Sequence, residues 1–151
     1  FWDGGFTGNP ALWPLFYADA PQDVLIVHIN PMERAGTPKT ADDILNRVNE
    51  ITFNASLLAE LRAIAFVKRL IKDDLLKDPR KARLSDIRLH SIRADDALSQ
   101  FPASSKYDAS WGFLTDLRDR GREAANTWLE TCFDKVGHDS SVDVRKEFLG
   151  D

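Results

Sequence analysis

The pattern of apolar and polar residues predicts two strands and two long helices. Residues 23–30 form a nearly continuous apolar run, which is typical of a strand buried on both faces of a parallel sheet. Residues 86–93 alternate apolar and polar side chains over their first part, which indicates a half-exposed strand at a sheet edge. Apolar residues recur at helical spacing in 40–77 and 110–136, so each of these segments is predicted to be a helix.

Turn and capping residues indicate where these elements begin and end. Residues 1–9 contain three glycines and predict a loop, after which Pro10 opens a short helix that ends near residue 18. The segment Thr40-Ala-Asp-Asp43 predicts a capping box at the start of the first long helix. Gly121 lies on the apolar stripe of the last helix and suggests close helix packing, and the polar tail from Gly137 onward is expected to fray.

The number of predicted strands is small for the helices they would have to cover. Two strands cannot bury two long helices well, so we expect the chain to pack against a sheet that it does not itself contain. Its only methionine is Met32 and it opens with Phe1, so we also expect further sequence upstream. The pattern therefore predicts a helix-rich chain of the α/β class.

Composition indicates the size class, the charge and the expected location of the chain but does not indicate its function. The 151 residues carry a net charge of −4 and are 43% hydrophobic, which fits one domain or part of one and gives no sign of disorder. A mildly acidic chain is a poor candidate for binding nucleic acid, which needs a basic face. Cys132 is the only cysteine, and no apolar run approaches the roughly 20 residues of a membrane span. With no signal peptide visible, a cytoplasmic location is expected.

Most residues that could carry chemistry have a simpler structural interpretation. The sequence has no Gly-x-Ser-x-Gly, phosphate-binding loop, dinucleotide-binding glycine motif or zinc-ligand spacing, so it predicts no cofactor and no metal. His28 lies in the predicted buried strand and is interpreted as a core residue. The pairs Asp42-Asp43 and Asp95-Asp96 precede helical turns and are interpreted as caps. The basic residues between 68 and 83 predict a solvated face.

Asp3-Gly4-Gly5 is the one segment that suggests a catalytic group. A carboxylate in a glycine loop has a backbone free to take unusual angles and can be aimed into a cleft, although an Asx-turn is the simpler interpretation. Six aromatic residues lie within the first 17 positions. They could desolvate the carboxylate and line a pocket for an acyl chain, or they could belong to a core, and the sequence leaves both open.

The opening segment resembles the second catalytic motif of patatin-like phospholipases. In that family an Asp-Gly-Gly or Asp-Gly-Ala is followed by an Asn-Pro and a helix, as Asp3-Gly4-Gly5 is here followed by Asn9-Pro10. The resemblance implies that Asp3 is the aspartate of a Ser-Asp dyad, with Gly4 and Gly5 beside it. The family's serine lies on a Gly-x-Ser-x-Gly turn far upstream. That turn and the family's glycine-rich oxyanion loop have no counterpart in this chain.

The rest of the chain is similar to the C-terminal region of a bacterial subgroup of that family. The similarity is carried by Ile29-Asn30-Pro31, by residues 37–40 and 44–61, and by 104–106 with 111–119. It implies that residues 1–39 end the catalytic core, with the aspartate loop, a short helix and a buried strand. Residues 40–151 would form a helical C-terminal domain with one edge strand. The whole would belong to a three-layer α/β fold.

The function implied by the resemblance is hydrolysis of a lipid acyl ester, with peripheral contact at a membrane. The partner of this chain would be the missing N-terminal half that carries the nucleophilic serine, and the chain alone is expected to be inactive. A noncatalytic helical interaction module is the competing hypothesis, in which helices 40–77 and 110–136 bind a partner and Asp3 is a turn residue. Neither hypothesis predicts an oligomeric state.

Overall fold

The computed structural model describes residues 3–17, 22–76 and 87–150, with backbone alone for residues 6, 16, 17 and 103. Within these ranges the regular elements are four α-helices and two strands, together with short helical turns. The strands are β1 (Asp23–Val27) and β2 (Arg88–Ile92); the helices are α1 (Trp13–Tyr17), α2 (Ala41–Lys72), α3 (Asp95–Leu98) and α4 (Trp111–Cys132). The turns are 3-10 helices at Gly4–Phe6, Ala103–Tyr107 and Phe133–Lys135, and a π-helix at Arg145–Leu149.

The two strands pair in parallel and form a small sheet. The Arg88 N–H donates to the Gln22 carbonyl at 2.8 Å, and the His28 N–H donates to the Ile92 carbonyl at 3.0 Å. Both partners therefore advance along the chain together, as parallel pairing requires. Helix α2 lies between the strands in sequence, which is the crossover that parallel strands need. A helix-rich chain with a small parallel sheet confirms the predicted α/β class.

The predicted burial of β1 on both faces is not found within the described residues. Val24 and Ile26 are buried, whereas Leu25, Val27 and Ile29 are 44%, 60% and 71% exposed. Successive strand residues point to opposite faces, so this alternation means that only one face is covered by the described part of the chain. The apolar residues on the other face account for the continuous apolar run in the sequence.

The capping box at the start of α2 is confirmed. The Asp43 N–H donates to Thr40 Oγ1 at 3.1 Å, and the Thr40 N–H donates to Asp43 Oδ2 at 3.3 Å. Two N–H groups that have no partner within a helix are thereby satisfied. The helix ends at Lys72, before the predicted end at residue 77. The predicted stop at Asp78-Pro79 lies outside the described residues.

The chain divides into two compact units, and neither is a continuous segment. The first unit combines Phe1–Ile26, Ala55–Ser91 and Asp134–Asp151, and the second combines Val27–Asn54 and Ile92–Phe133. The first unit has an apolar core to which α2, both strands and the C-terminal tail contribute. Its buried members are Leu12, Val24, Ile26, Leu57, Leu61, Ile87 and Leu89. The division at residue 39 remains a prediction about the organisation of a longer protein.

The second unit is held by a buried ion-pair cluster and by aromatic contacts. Arg34 donates from Nε and Nη2 to Glu50, with the shorter contact at 2.5 Å, and Arg47 Nη1 donates to Glu50 Oε2 at 3.2 Å. Burial by itself would raise the pKa of Glu50, but the hydrogen bonds from Arg34 and Arg47 hold it below its usual range. The Phe101 and Phe113 rings meet edge to face, with their centroids 5.3 Å apart.

Two expectations from the sequence are wrong: that the tail from Gly137 onward frays, and that Gly121 marks close helix packing. The tail is not frayed, because Val142 is buried and Val144 and Phe148 pack against the core of the first unit. The Ser141 N–H also donates to the Leu89 carbonyl at 3.1 Å, so the tail runs beside β2. At Gly121 a Cβ would meet nothing within 4 Å. Gly121 therefore marks no close helix contact. Its place on the apolar stripe could not show whether a neighbouring element packs against it.

Candidate functional site

Asp3 lies at the start of a 3-10 turn and closes it with its own side chain. Its backbone is extended, with φ −63° and ψ 126°, and its Oδ1 accepts the Gly5 N–H at 2.9 Å. This is the Asx-turn that the sequence offered as the simpler interpretation. Among the described residues, Oδ2 accepts no hydrogen bond, and the side chain is exposed. One carboxylate oxygen of this exposed side chain is therefore fixed by the turn.

Gly5 lies close to the Asp3 carboxylate. A Cβ at Gly5 would lie 3.2 Å from Asp3 Oδ1 and 3.9 Å from Asn9 Nδ2, whereas one at Gly4 would meet nothing within 4 Å. Contacts near 3.2 Å force the neighbouring atoms to shift, so a side chain at Gly5 would disturb the carboxylate. Of the two motif glycines, Gly5 is therefore the one at which a side chain would approach the Asp3 carboxylate.

Helix α2 anchors the loop that carries Asp3. Ser56 Oγ accepts the Asn9 N–H at 3.2 Å, and Glu60 Oε2 accepts the N–H groups of Leu12 and Trp13 at 2.6 and 3.0 Å. Ser56 and Glu60 are four residues apart and so share one face of the helix. The loop is thus tied to α2 by side chains and ends at the buried Leu12.

Of the six aromatic residues expected to desolvate Asp3, only Trp13 has a described side chain. The Asp3 side chain is exposed, and Trp13 is 58% exposed. Phe1 and Trp2 lie outside the described residues, and so do the side chains of Phe6, Phe16 and Tyr17. In the described part of the chain the Asp3 environment is solvent and its own turn.

The other candidate residues have structural partners. His28 is buried, as predicted, and burial lowers its pKa, an effect that nearby Arg93 reinforces. Asp95 is not a side-chain cap: it pairs with Arg93, whose Nε donates to its Oδ2 at 3.0 Å, and its Oδ1 accepts the Met32 N–H at 3.3 Å. No cluster of three His, Cys, Asp or Glu among the described residues could hold a metal ion.

The fold brings together three residues for which the sequence predicts no joint role. They are Asp23 at the start of β1, His90 in the middle of β2 and Ser141 in the tail. His90 lies within hydrogen-bond distance of both Ser141 and Asp23. Their separations along the chain exceed 50 residues, as the contact of Ser141 with His90 spans 51 and that of His90 with Asp23 spans 67. No local spacing rule could have found them.

Comparison with family models, with curated proteins and with solved structures finds no match for this chain. In the described ranges, no helix is both long enough and apolar enough to cross a bilayer. The resemblance to patatin-like phospholipases therefore remains an interpretation of the motif around Asp3.

Proposed function

We propose that this chain is the C-terminal portion of a serine lipid acyl hydrolase that uses a Ser-Asp dyad. Asp3 would supply the carboxylate, and the serine would come from a segment outside these 151 residues. The observation that carries the proposal is the Asp3 turn, in which Oδ1 accepts the Gly5 N–H and the side chain is exposed. An exposed oxygen on a fixed loop is available to a serine from another segment.

The chemistry follows from the two roles of such a carboxylate. Asp3 would accept the proton of the serine hydroxyl as the serine attacks the ester carbonyl, and would later help to activate water. A base must keep one position through both steps, and the bonds from Ser56 and Glu60 to the loop favour that. In the complete protein the incoming segment would desolvate Asp3 and make it more basic.

The exposed face of β1 supports the proposal that a further layer completes the sheet. Leu25, Val27 and Ile29 are apolar and exposed, which is unfavourable on a free surface. A three-layer α/β domain would cover this face with helices and extend the sheet with further parallel strands. We propose that the missing N-terminal half supplies both, together with the serine.

A noncatalytic interaction module is the second candidate function, and α2 carries an observation in its favour. Four large apolar side chains in the first half of α2 are at least 48% exposed: Ile44, Leu45, Val48 and Ile51. Exposed apolar residues on a helix are typical of a surface that binds another chain. In that case the sequence upstream of Phe1 would lack Gly-x-Ser-x-Gly.

The test is Asp3→Asn in the full-length protein, with lipid-ester hydrolysis and a melting curve measured for each variant. Asparagine keeps the size of aspartate and can still accept the Gly5 N–H, so folding should change little. Turnover should fall by roughly 10²–10⁴, the usual contribution of a positioned base.

Asp42→Asn is the matched control. Asp42 is exposed in the first turn of α2, where a negative charge contributes at most about 1 kcal/mol to helix stability. It should leave turnover unchanged. An Asp3→Asn enzyme that keeps most of its activity would remove Asp3 from the mechanism and favour the interaction module.

A further inference from the structure

Three side chains of the first unit form a hydrogen-bonded series that is separate from the Asp3 turn. Ser141 Oγ lies 3.1 Å from His90 Nδ1, and His90 Nε2 lies 3.0 Å from Asp23 Oδ1. His90 is only 1% exposed, so packing fixes the plane of its ring. The order alcohol, imidazole, carboxylate is also that of serine nucleophiles in unrelated folds. Here the two ring nitrogens are exchanged, because Nδ1 faces the alcohol and Nε2 faces the carboxylate.

Asp23 determines which ring nitrogen of His90 carries the proton. The Arg88 guanidinium holds the pKa of Asp23 well below its usual range, and the Gly137 N–H and His90 add to this against the opposing effect of burial. The ionised carboxylate can only accept hydrogen bonds, so Nε2 must be the donor. In the neutral imidazole Nδ1 is then the acceptor, and it faces the Ser141 hydroxyl. His90 is therefore oriented as a base toward Ser141.

The backbone of β2 holds Ser141 in place. The Ser141 N–H donates to the Leu89 carbonyl at 3.1 Å, and the Leu89 N–H donates to Ser140 Oγ at 3.1 Å. Leu89 is 2% exposed and directly precedes His90. These bonds tie the tail segment that carries Ser141 to the strand residue that precedes His90. They limit the movement of Ser141 relative to His90.

Ser141 lies on the wall of a cleft of about 1210 Å³ within the same unit. The cleft is lined by six cationic and four anionic side chains, although the whole chain has a net charge of −4. The cations are Lys68, Arg69, Lys72, Lys135, Arg145 and Lys146. A cleft with a local excess of positive charge favours anionic small molecules.

We propose that Ser141 and His90 form a second acyl-transfer site, which hydrolyses small carboxylic esters that carry a negative charge. Ser141 Oγ bonds to the ester carbonyl carbon while its proton passes to His90 Nδ1. The bond to the leaving alcohol then breaks, and His90 returns the proton to the alcohol oxygen. Water attacks the acyl-serine in the same way, so one ester and one water give one acid and one alcohol. The local excess of positive charge in the cleft would favour the oxyanion.

The first experiment measures ester hydrolysis and covalent labelling of the purified chain. The substrates are 4-nitrophenyl acetate and the mono-4-nitrophenyl ester of succinic acid, and the label is a fluorophosphonate located by mass spectrometry. The wild-type chain should be labelled once, at Ser141, and should prefer the succinate ester. Ser141→Ala should abolish the label and reduce hydrolysis at least about 10²-fold, because it removes the nucleophile and leaves His90 without the hydroxyl that it would deprotonate.

Ser140→Ala is the matched control, because it removes the hydroxyl next in sequence and the hydrogen bond to Leu89 but keeps the Ser141–His90 pair. It should retain the label. Labelling at another residue, or equal hydrolysis by wild type and Ser141→Ala, would overturn the proposal.

A second variant tests activation without removing the nucleophile. Ser141→Cys places a thiol beside His90 Nδ1, and Cys132 in the same chain serves as the internal reference. The new thiol should be alkylated by iodoacetamide at least about tenfold faster than Cys132, since the thiolate is the reactive form. Equal or slower alkylation would mean that His90 does not act as a base there.

This inference goes beyond the lipid hydrolase proposal and replaces one expectation from the sequence, that the chain alone has no reactive serine. It does not involve Asp3, so Asp3→Asn in the purified chain should leave labelling at Ser141 unchanged. Loss of the label in that variant would count against two independent sites.

Discussion

At the scale of single residues, Glu60 explains how a long helix can hold a short loop in place. Its Oε2 accepts two consecutive N–H groups, those of Leu12 and Trp13, at the start of the five-residue α1. A helix this short cannot persist by itself, because nucleation is unfavourable. A carboxylate at its N-terminus satisfies donors that have no partner inside the helix and complements its dipole.

We expect Glu60→Ala to destabilise the fold by about 1–3 kcal/mol, because the Leu12 N–H lies in a part-buried position and would lose its acceptor. Glu60→Gln should cost less, since the amide oxygen can still accept both bonds and only the charge is lost. Urea unfolding of the purified chain measures both effects. Glu130→Ala, on exposed α4, is the control and should stay within about 0.5 kcal/mol of wild type. Unfolding of Glu60→Ala at the wild-type midpoint would show that the loop is held by other contacts.

Single residues also show where prediction from sequence ends. The Asx-turn at Asp3 and the capping box at Thr40 follow from residues two and three positions apart, which is why the sequence predicted both. The role of Glu60 depends on a contact across 48 residues, and that of Ser141 on one across 51. Such contacts are set by packing of the whole unit, and side-chain identity alone does not specify them.

At the scale of elements, α2 is the longest, with 32 residues, and it contributes to both compact units. Its C-terminal half places Leu57 and Leu61 in the core of the first unit, and its N-terminal half places Glu50 in the ion-pair cluster of the second. The helical period of these positions made the helix predictable. Its end was not predictable, because the residues after Lys72 include no glycine or proline until position 79.

Removing the capping box should weaken α2 from its N-terminus. Thr40→Ala removes the acceptor of the Asp43 N–H, and such changes cost about 1 kcal/mol. We expect faster hydrogen exchange in the first turns of α2 and a slightly lower unfolding midpoint. Thr115→Ala is a suitable control, because its hydroxyl bonds only to carbonyls of its own helix α4. If Thr40→Ala exchanges like wild type over 41–45, the box contributes nothing to the end of the helix.

At the scale of the whole molecule, β1 carries more apolar surface than the described residues cover. The continuous apolar run predicted a strand buried on both faces, and the chemistry of the run fits that environment even though only Val24, Ile26 and His28 are buried. The sequence thus predicted the type of sheet from its strands. It could not predict which residues cover each face of β1, because an apolar strand pattern indicates burial but does not say which segment packs against the strand.

The open face of β1 leads to the last prediction, that the isolated chain associates with itself. Leu25, Val27 and Ile29 are exposed, and a strand at the edge of a two-stranded sheet offers backbone groups for pairing. Light scattering after size exclusion should show a mass above 17.0 kDa that rises with concentration. The double variant Leu25→Thr with Val27→Thr places β-branched side chains, which suit a strand, at both positions but removes apolar surface, so it should weaken association roughly tenfold.

Leu129→Thr is the control, because Leu129 is similarly exposed, at 50%, but belongs to α4 and not to a strand. It should associate like wild type. A strictly monomeric wild-type chain with a sharp and reversible unfolding transition would contradict the prediction. It would also mean that these 151 residues fold independently. That result would favour the interaction module over the C-terminal portion of a hydrolase. If the β1 variant reduces association and the α4 control does not, the open face of β1 is the surface that associates. This is also the face that a further layer of the proposed three-layer fold would cover.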